Sequence, residues 1–167
     1  MIPETLSNYN LYVDGKGFAG LSTSVTLPKL KIKTDEHRAG GMDGPVKMDL
    51  GMEAMDAAFA MASMTREVLN FFGLADATAF NGVFRGAFRD MKGKTKSAAA
   101  SFRGMLSEID PGDWKAGEKS EAKYTVSLSY YKLEIDGAAV HEIDLLGMVR
   151  MINGVDQLAE IRKAIGM

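Results

Sequence analysis

Apolar and polar residues alternate along most of this chain, the period-two pattern of strands that bury one face. Val25, Leu27, Leu30 and Ile32 sit among Lys and Thr, with a slip at Pro28. Val46-Lys47-Met48-Asp49-Leu50 alternates in the same way. Between the two runs lie Gly40, Gly41, Gly44 and Pro45. The pattern predicts a long hairpin over about 25–50 with a turn-rich tip. Both arms are half polar, so the hairpin cannot bury itself. It needs a surface outside its own domain to lie on.

The same pattern predicts a short strand over 9–13. Asp14-Gly15 follows it, and Asp-Gly between apolar runs signals a hairpin because both central residues of a type I′ turn need positive φ. Residues 22–38 read as the outgoing arm of the long hairpin. Residues 54–62 are rich in helix formers, yet their period is two. Ala54, Asp56, Ala58, Ala60 and Ala62 share one face, and Met55, Ala57, Phe59 and Met61 share the other. This predicts a strand with a small face and a bulky face. A short helix is expected over 65–72, capped by Ser63 or Thr65, with stripe Val68, Leu69 and Phe72 and a stop at Gly73. Residues 75–79 read as a loop.

Further on, 83–89 and 98–109 read as strands joined by a basic turn, and 110–118 as a loop. Residues 121–135 are the longest strand. Tyr124, Val126, Leu128 and Tyr130 share a face, then the phase flips to Tyr131, Leu133 and Ile135. A flip in mid-strand implies a bulge or a handover between two packing environments. Asp136-Gly137 turns the chain into a strand over 140–146, and 148–152 is a short strand before Asn153-Gly154. A last helix over 157–165 is expected, capped by Asp156, with stripe Leu158, Ile161 and Ile165 and Gly166 as its stop. Seven to ten strands, two short helices and no repeat make a mainly β fold. It reads as a sandwich or barrel in one domain, 1–167, with a short flanking helix and a C-terminal helix.

Composition narrows the picture. At 167 residues with 46% hydrophobic and 25% charged content, the chain can bury a core of its own. Formal net charge is −2, so no global basic field draws it to nucleic acid or membrane. There is no cysteine, which excludes disulfides and thiolate metal sites. Residues 1–5 lack the basic and apolar regions of a signal peptide, and no apolar run approaches the ~20 residues of a membrane span. No membrane anchor is expected. Twelve Met suit contact surfaces as well as cores.

Candidate chemistry is sparse. Gly93-Lys94-Thr95 resembles the end of a phosphate loop, but Phe88 stands where the motif needs its first Gly. His37 and His141 are far apart in sequence. Glu142 on a strand points away from His141 and Ile143, so His141-Glu142-Ile143-Asp144 is no ready ligand set. No nucleophile elbow or triad pattern occurs. No catalytic, cofactor-binding or metal residue is assigned, and no cofactor is expected. Arg85, Arg89, Lys92, Lys94 and Lys96 make the hairpin 85–96 basic. It supports the alternative of a small β-rich binding module that contacts nucleic acid. Trp114 stands alone in its loop, as an anchor into a crevice would.

Some stretches are longer and more particular. Val25-Thr26-Leu27-Pro28-Lys29-Leu30, Arg38-Ala39-Gly40-Gly41-Met42-Asp43-Gly44, Tyr130-Tyr131-Lys132-Leu133-Glu134-Ile135-Asp136-Gly137, Glu142-Ile143-Asp144 and Asn153-Gly154-Val155-Asp156 resemble the major tail tube proteins of contractile-tailed phages. Asn70-Phe71-Phe72-Gly73-Leu74-Ala75-Asp76 and Asp110-Pro111-Gly112-Asp113-Trp114-Lys115-Ala116-Gly117-Glu118-Lys119 are similar to the tube of R-type bacteriocins, the tailocin or pyocin group. The resemblance implies a structural protein rather than an enzyme. It implies hexameric rings that stack into a hollow tube, each subunit lending strands to a continuous inner β-barrel. A sheath protein outside contracts and drives the tube through a target cell envelope. Baseplate and spike lie at one end and a tail terminator at the other. DNA passes the lumen only in a phage. Assembly in the bacterial cytoplasm follows, as part of a virion tail or a released tailocin particle.

Within that frame two sets of contacts are expected. Arg38, Gly40, Gly41, Met42, Asp43 and Gly44 at the hairpin tip are expected between rings. Ala54, Asp56, Ala58, Ala60 and Ala62, whose small side chains permit close approach, are expected within a ring. Ordering the tip over 39–44 costs roughly 6–12 kcal/mol at about 1–2 per residue. That demands roughly 240–480 Å² of apolar burial at ~25 cal/mol per Å². Met42 and Pro45 alone cannot supply it; a neighbouring subunit can.

Overall fold

The computed structural model describes residues 2–74 and 79–167. Among these, the elements run β1 (Thr5–Val13), β2 (Lys16–Gly17), β3 (Ser22–Thr26), β4 (Ile32–His37), β5 (Val46–Met52), β6 (Met55–Met61), α1 (Arg66–Leu69), β7 (Phe80–Arg89), β8 (Thr95–Asp110), β9 (Ala122–Ile135), β10 (Ala138–Asp144), β11 (Val149–Ile152), β12 (Val155–Asp156) and α2 (Ala159–Ile165). The fold is mainly β with two short helices, as the alternation requires. The loop expected over 75–79 lies, for 75–78, outside the described residues.

A ten-stranded sheet carries the body, with β4 and β5 forming a separate two-stranded sheet. The main path runs β12-β11-β10-β9-β8-β7-β1-β2, every pair antiparallel. The sheet branches at β9. One flank of β9 pairs with β8; the other pairs first with β6, Met55↔Leu128 to Met61↔Ala122, and then with β10, Asp144↔Tyr130 to Ala138↔Ile135. Between those two partners the β8 register shifts, Gly104 facing Leu128 and Arg103 facing Tyr130, so Ser129 is extra. The phase flip thus marks both a bulge and a handover. Gly104 is required there: a Cβ would sit 2.0 Å from the Ser127 carbonyl oxygen.

Curling the sheet brings its margins together around an aromatic core. The Tyr9 hydroxyl of β1 lies 3.2 Å from Ser22 Oγ of β3. Phe59 stacks on Tyr124 at 4.9 Å and on Phe80 at 5.4 Å, and Phe102 stacks on Phe84 at 5.2 Å. Leu11, Met55, Met61, Leu106 and Val126 complete this core. The bulky face of β6 lies within it, so the period of 54–62 outranked helix propensity because packing decides.

Several expectations need correction. The outgoing arm over 22–38 is two strands: β3 pairs with β6, and the chain leaves the sheet before β4 begins. That pairing joins Ser22 to Met61, a non-local contact that alternation alone does not specify. β1 starts at Thr5, earlier than the apolar run. β12 was not foreseen. α1 spans one turn; Thr65 is its N-cap but makes no side-chain capping bond. Val68 is buried beneath it while Phe72 is exposed, and Phe71 instead meets Phe80 edge-on at 5.8 Å. α2 starts at Ala159, not at 157, with Leu158 as N-cap. Asp156 still serves that end, accepting from the Leu158 N–H at 3.0 Å and pairing with Arg162, which together hold its carboxyl below the usual range. The expected stripe of α2 is not buried: Ile161 and Ile165 are exposed. The type I′ turns conform, with Asp14, Asp136 and Asn153 at φ 49–50° and the following glycines near 80°.

Candidate assembly interface

With no catalytic cleft foreseen, the informative places are apolar surfaces the chain leaves uncovered. Among the described residues no group of three or more His, Asp or Glu is placed to hold a metal. The basic hairpin between β7 and β8 has one of its cations paired and its turn held by Asp90. Lys96 pairs with Glu4, and Asp90 Oδ1 accepts the backbone N–H groups of Lys92 and Lys94, each at 2.9 Å. Gly93 lies in this antiparallel turn at φ 84°, not at the start of a helix. Trp114 occupies no crevice of its own subunit; it is 73% exposed.

The β4–β5 hairpin is exposed from Ile32 to Leu50 apart from partial cover of Met42 and Gly44 at the tip. Its register pairs His37 with Val46, Asp35 with Met48 and Thr34 with Asp49. Directly paired residues share a face. One face therefore carries Thr34, Glu36, Lys47 and Asp49. The other carries Asp35 and His37 with Val46, Met48 and Leu50. A bulge near Gly51 (φ 105°) bends the stem, and Asp49 Oδ1 accepts the Gly51 N–H at 2.8 Å. At the root, Glu53 N–H donates to the Lys31 carbonyl at 2.9 Å.

The Asp49 face turns towards the body. Arg150 of β11 reaches Asp49 with Nη2 at 2.7 Å and Nη1 at 3.5 Å. Arg150 is only 7% exposed. The guanidinium and the Gly51 N–H hold the Asp49 carboxyl below its ordinary range. This pair ties β5 of the hairpin to β11 of the body. Sequence reasoning assigned neither residue a role, and the partners are 101 positions apart.

Arg38, Gly40, Gly41 and Asp43 are exposed, and the turn bonds to itself: the Met42 N–H donates to the Ala39 carbonyl at 3.2 Å, and the Ala39 N–H to Met42 Sδ at 3.3 Å. Nothing lies within 4 Å of a Cβ built on Gly40 or Gly41. The small face of β6 lies on the outside of the sheet. Ala54 and Asp56 are exposed, Ala58 and Ala62 half-buried, and Ala60 buried. Both edges of β6 are already paired, to β3 and β9, so it offers a face and not an edge. Ser127 Oγ donates to Asp56 at 3.3 Å on that face.

Comparison with known proteins decides the family. The model of the phage tail tube protein FII family matches residues 3–166. This chain belongs to that family. The tail tube protein of Escherichia phage P2 is 35% identical, the match covering 99% of both chains. The major tail tube protein of Serratia phage KSP20 is 36% identical, covering 92% of this chain and 90% of that one. Among solved structures, a chain of an extracellular contractile injection system, the PVC sheath–tube complex in its extended state, aligns with TM-score 0.59 over 79% of this chain and 91% of that one, at 11% identity. A chain of the anti-feeding prophage tube-terminating cap aligns with TM-score 0.61 over 80% and 92%, at 12% identity. At such identities these share the fold.

Proposed function

We propose that this chain is the structural subunit of the inner tube of a contractile tail, polymerising into stacked hexameric rings around a hollow lumen. The observation that carries this reading is the end-to-end match to a tail tube protein, 99% of both chains. The exposed stem of the hairpin and the open sheet margins at β2 and β12 support it, because exposed edges and apolar strands in a monomer invite aggregation unless assembly covers them. Head-to-tail contacts that do not close on themselves propagate as filaments. The tip residues Arg38 to Gly44 bridge rings, and the small face of β6 packs within a ring.

A sheath surrounds the tube, baseplate and spike lie at its leading end, and a terminator closes the other. Assembly takes place in the bacterial cytoplasm. Capsid genes beside the gene place the chain in a phage tail with DNA in its lumen; their absence places it in a tailocin. Electron microscopy of the purified chain tests the central reading: six-fold rings or hollow tubes are expected, and a compact monomer at milligram concentrations contradicts it.

A further inference from the structure

Two of the three most exposed large apolar side chains among the described residues stand at the two ends of β8. Met91, 83% exposed, lies in the β7–β8 turn before that strand, and Trp114, 73% exposed, in the 110–121 loop after it. The turn is held by its own backbone. The Asp90 N–H donates to the Lys94 carbonyl and the Gly93 N–H to the Asp90 carbonyl, each at 3.1 Å, while Asp90 Oδ1 accepts the Lys92 and Lys94 N–H groups. The side chains of Arg89, Lys92 and Lys94 are left exposed around Met91, with no ion-pair partner among the described residues. The loop is closed at its neck. A Cβ on Gly112 (φ 68°) would come 2.5 Å from the Glu121 carbonyl oxygen, and Asp110 Oδ1 accepts the Gly112 N–H at 3.0 Å. Five carboxylates and three lysines lie between Glu108 and Lys123, with Asp113 next to Trp114. One end of β8 thus presents a methionine among cations, the other a tryptophan in acidic surroundings.

We propose that the β7–β8 turn of one subunit seats on the 110–121 loop of a second copy, Met91 against the Trp114 indole and Lys92 and Lys94 over the carboxylates beside it. This contact presupposes the tube reading above and lies apart from the long hairpin. The two ends do not satisfy one another within a subunit. The cleft beside the turn is completed by Ile2, Glu4 and Asp136, with no residue of the loop. The Thr95 end of β8 pairs with Arg89 and the Asp110 end with Lys123. At about 3.3 Å per residue, a strand of 16 residues holds its ends up to roughly 50 Å apart. A second copy is the occupant because the chain carries both halves of the match. A thioether packs well on an aromatic ring, an ammonium over the indole face, and cations opposite carboxylates. A nucleic-acid backbone would use the cations and leave Met91 and Trp114 uncovered. The turn meets a different surface on its neighbour, so the contact passes from subunit to subunit without pairing off. Turn and loop are each held by their own backbone bonds, so docking orders side chains only.

Trp114 is the only tryptophan, so its emission reports this loop alone. On assembly the emission is expected to move to shorter wavelength and quenching by acrylamide to fall at least fivefold. Lys92→Glu with Lys94→Glu is expected to keep the circular dichroism and melting temperature of the parent and to raise the concentration at which tubes form at least tenfold. Adding Asp113→Lys and Glu118→Lys to that variant exchanges the charges across the contact and is expected to bring the threshold back to within about threefold of the parent. Equal quenching of Trp114 in dispersed and assembled protein, or normal tubes from the reversed variant, overturns the contact while leaving the tube reading intact. Single-stranded DNA that binds the dispersed parent and not the reversed variant, with tubes unaffected, gives the turn to nucleic acid instead. Parent chain that forms no tubes or rings overturns both.

Discussion

Phe59 in β6 and Met48 in β5 belong to strands of the same length and similar alternation, and their fates differ completely. Phe59 is stacked between Phe80 and Tyr124, inside a sheet that pairs β6 on both edges. Met48 stands on a ribbon with one partner strand and nothing over its apolar face. Alternation states which face wants cover. It does not state whether the cover comes from the same chain. The difference lies in long-range pairing: β6 is captured by β9, which follows far downstream, whereas β5 is held by β4 and one ion pair.

The contrast can be broken first on its covered side. Phe80→Ala removes a fully buried ring from contact with Phe59, Phe71 and Phe102. Chemical denaturation followed by circular dichroism is expected to show a loss of about 3–5 kcal/mol. Gly104→Ala drives a Cβ against the Ser127 carbonyl at the bulge, and about 2–3 kcal/mol should be lost in the same assay. On the uncovered side the thermodynamic cost should nearly vanish. Gly40→Val meets open space and an ordinary backbone conformation, so stability should change by under about 0.5 kcal/mol. Tubes, counted by electron microscopy, should nonetheless be lost if the tip bridges rings. Normal polymerisation of this variant would remove the tip from the contact.

The smallest effect is expected from protons. The folded-state carboxyl of Asp49 titrates below its ordinary value, so its contribution is present above the ordinary carboxylate range and is lost as pH falls through the depressed folded value. Amide exchange of the hairpin should therefore be flat from neutral pH down to about pH 4, after correction for the intrinsic rate, and should quicken only below that. Quickening near neutral pH would show that Asp49 is not what holds the stem. Asp156, depressed by Arg162 and the Leu158 N–H, gives α2 the same direction of dependence.

Local chemistry was the legible part of the chain. Asp14-Gly15, Asp136-Gly137 and Asn153-Gly154 declared their turns because few residues accept positive φ. The flip between Tyr130 and Tyr131 disclosed the handover of β9, because a bulge inverts which side chains meet the core. The boundaries of β3 were hidden, since the strand exists only through its pairing with β6. The stripe on α2 looks like core from its periodicity, yet Ile161 and Ile165 are exposed, whereas the half-polar arms of the long hairpin already read as unable to bury themselves, and Met48 and Leu50 are exposed. Arg150 gave no signal at all. A lone arginine in a short strand acquires meaning only when the fold sets Asp49 beside it.

The most direct measurement compares amide exchange of residues 32–52 in dispersed subunits and in assembled tubes. Protection of the β5 stem rising by about a hundredfold or more on assembly, with the aromatic core little changed, is the expected result. Equal exchange of the stem in the two states would contradict the account.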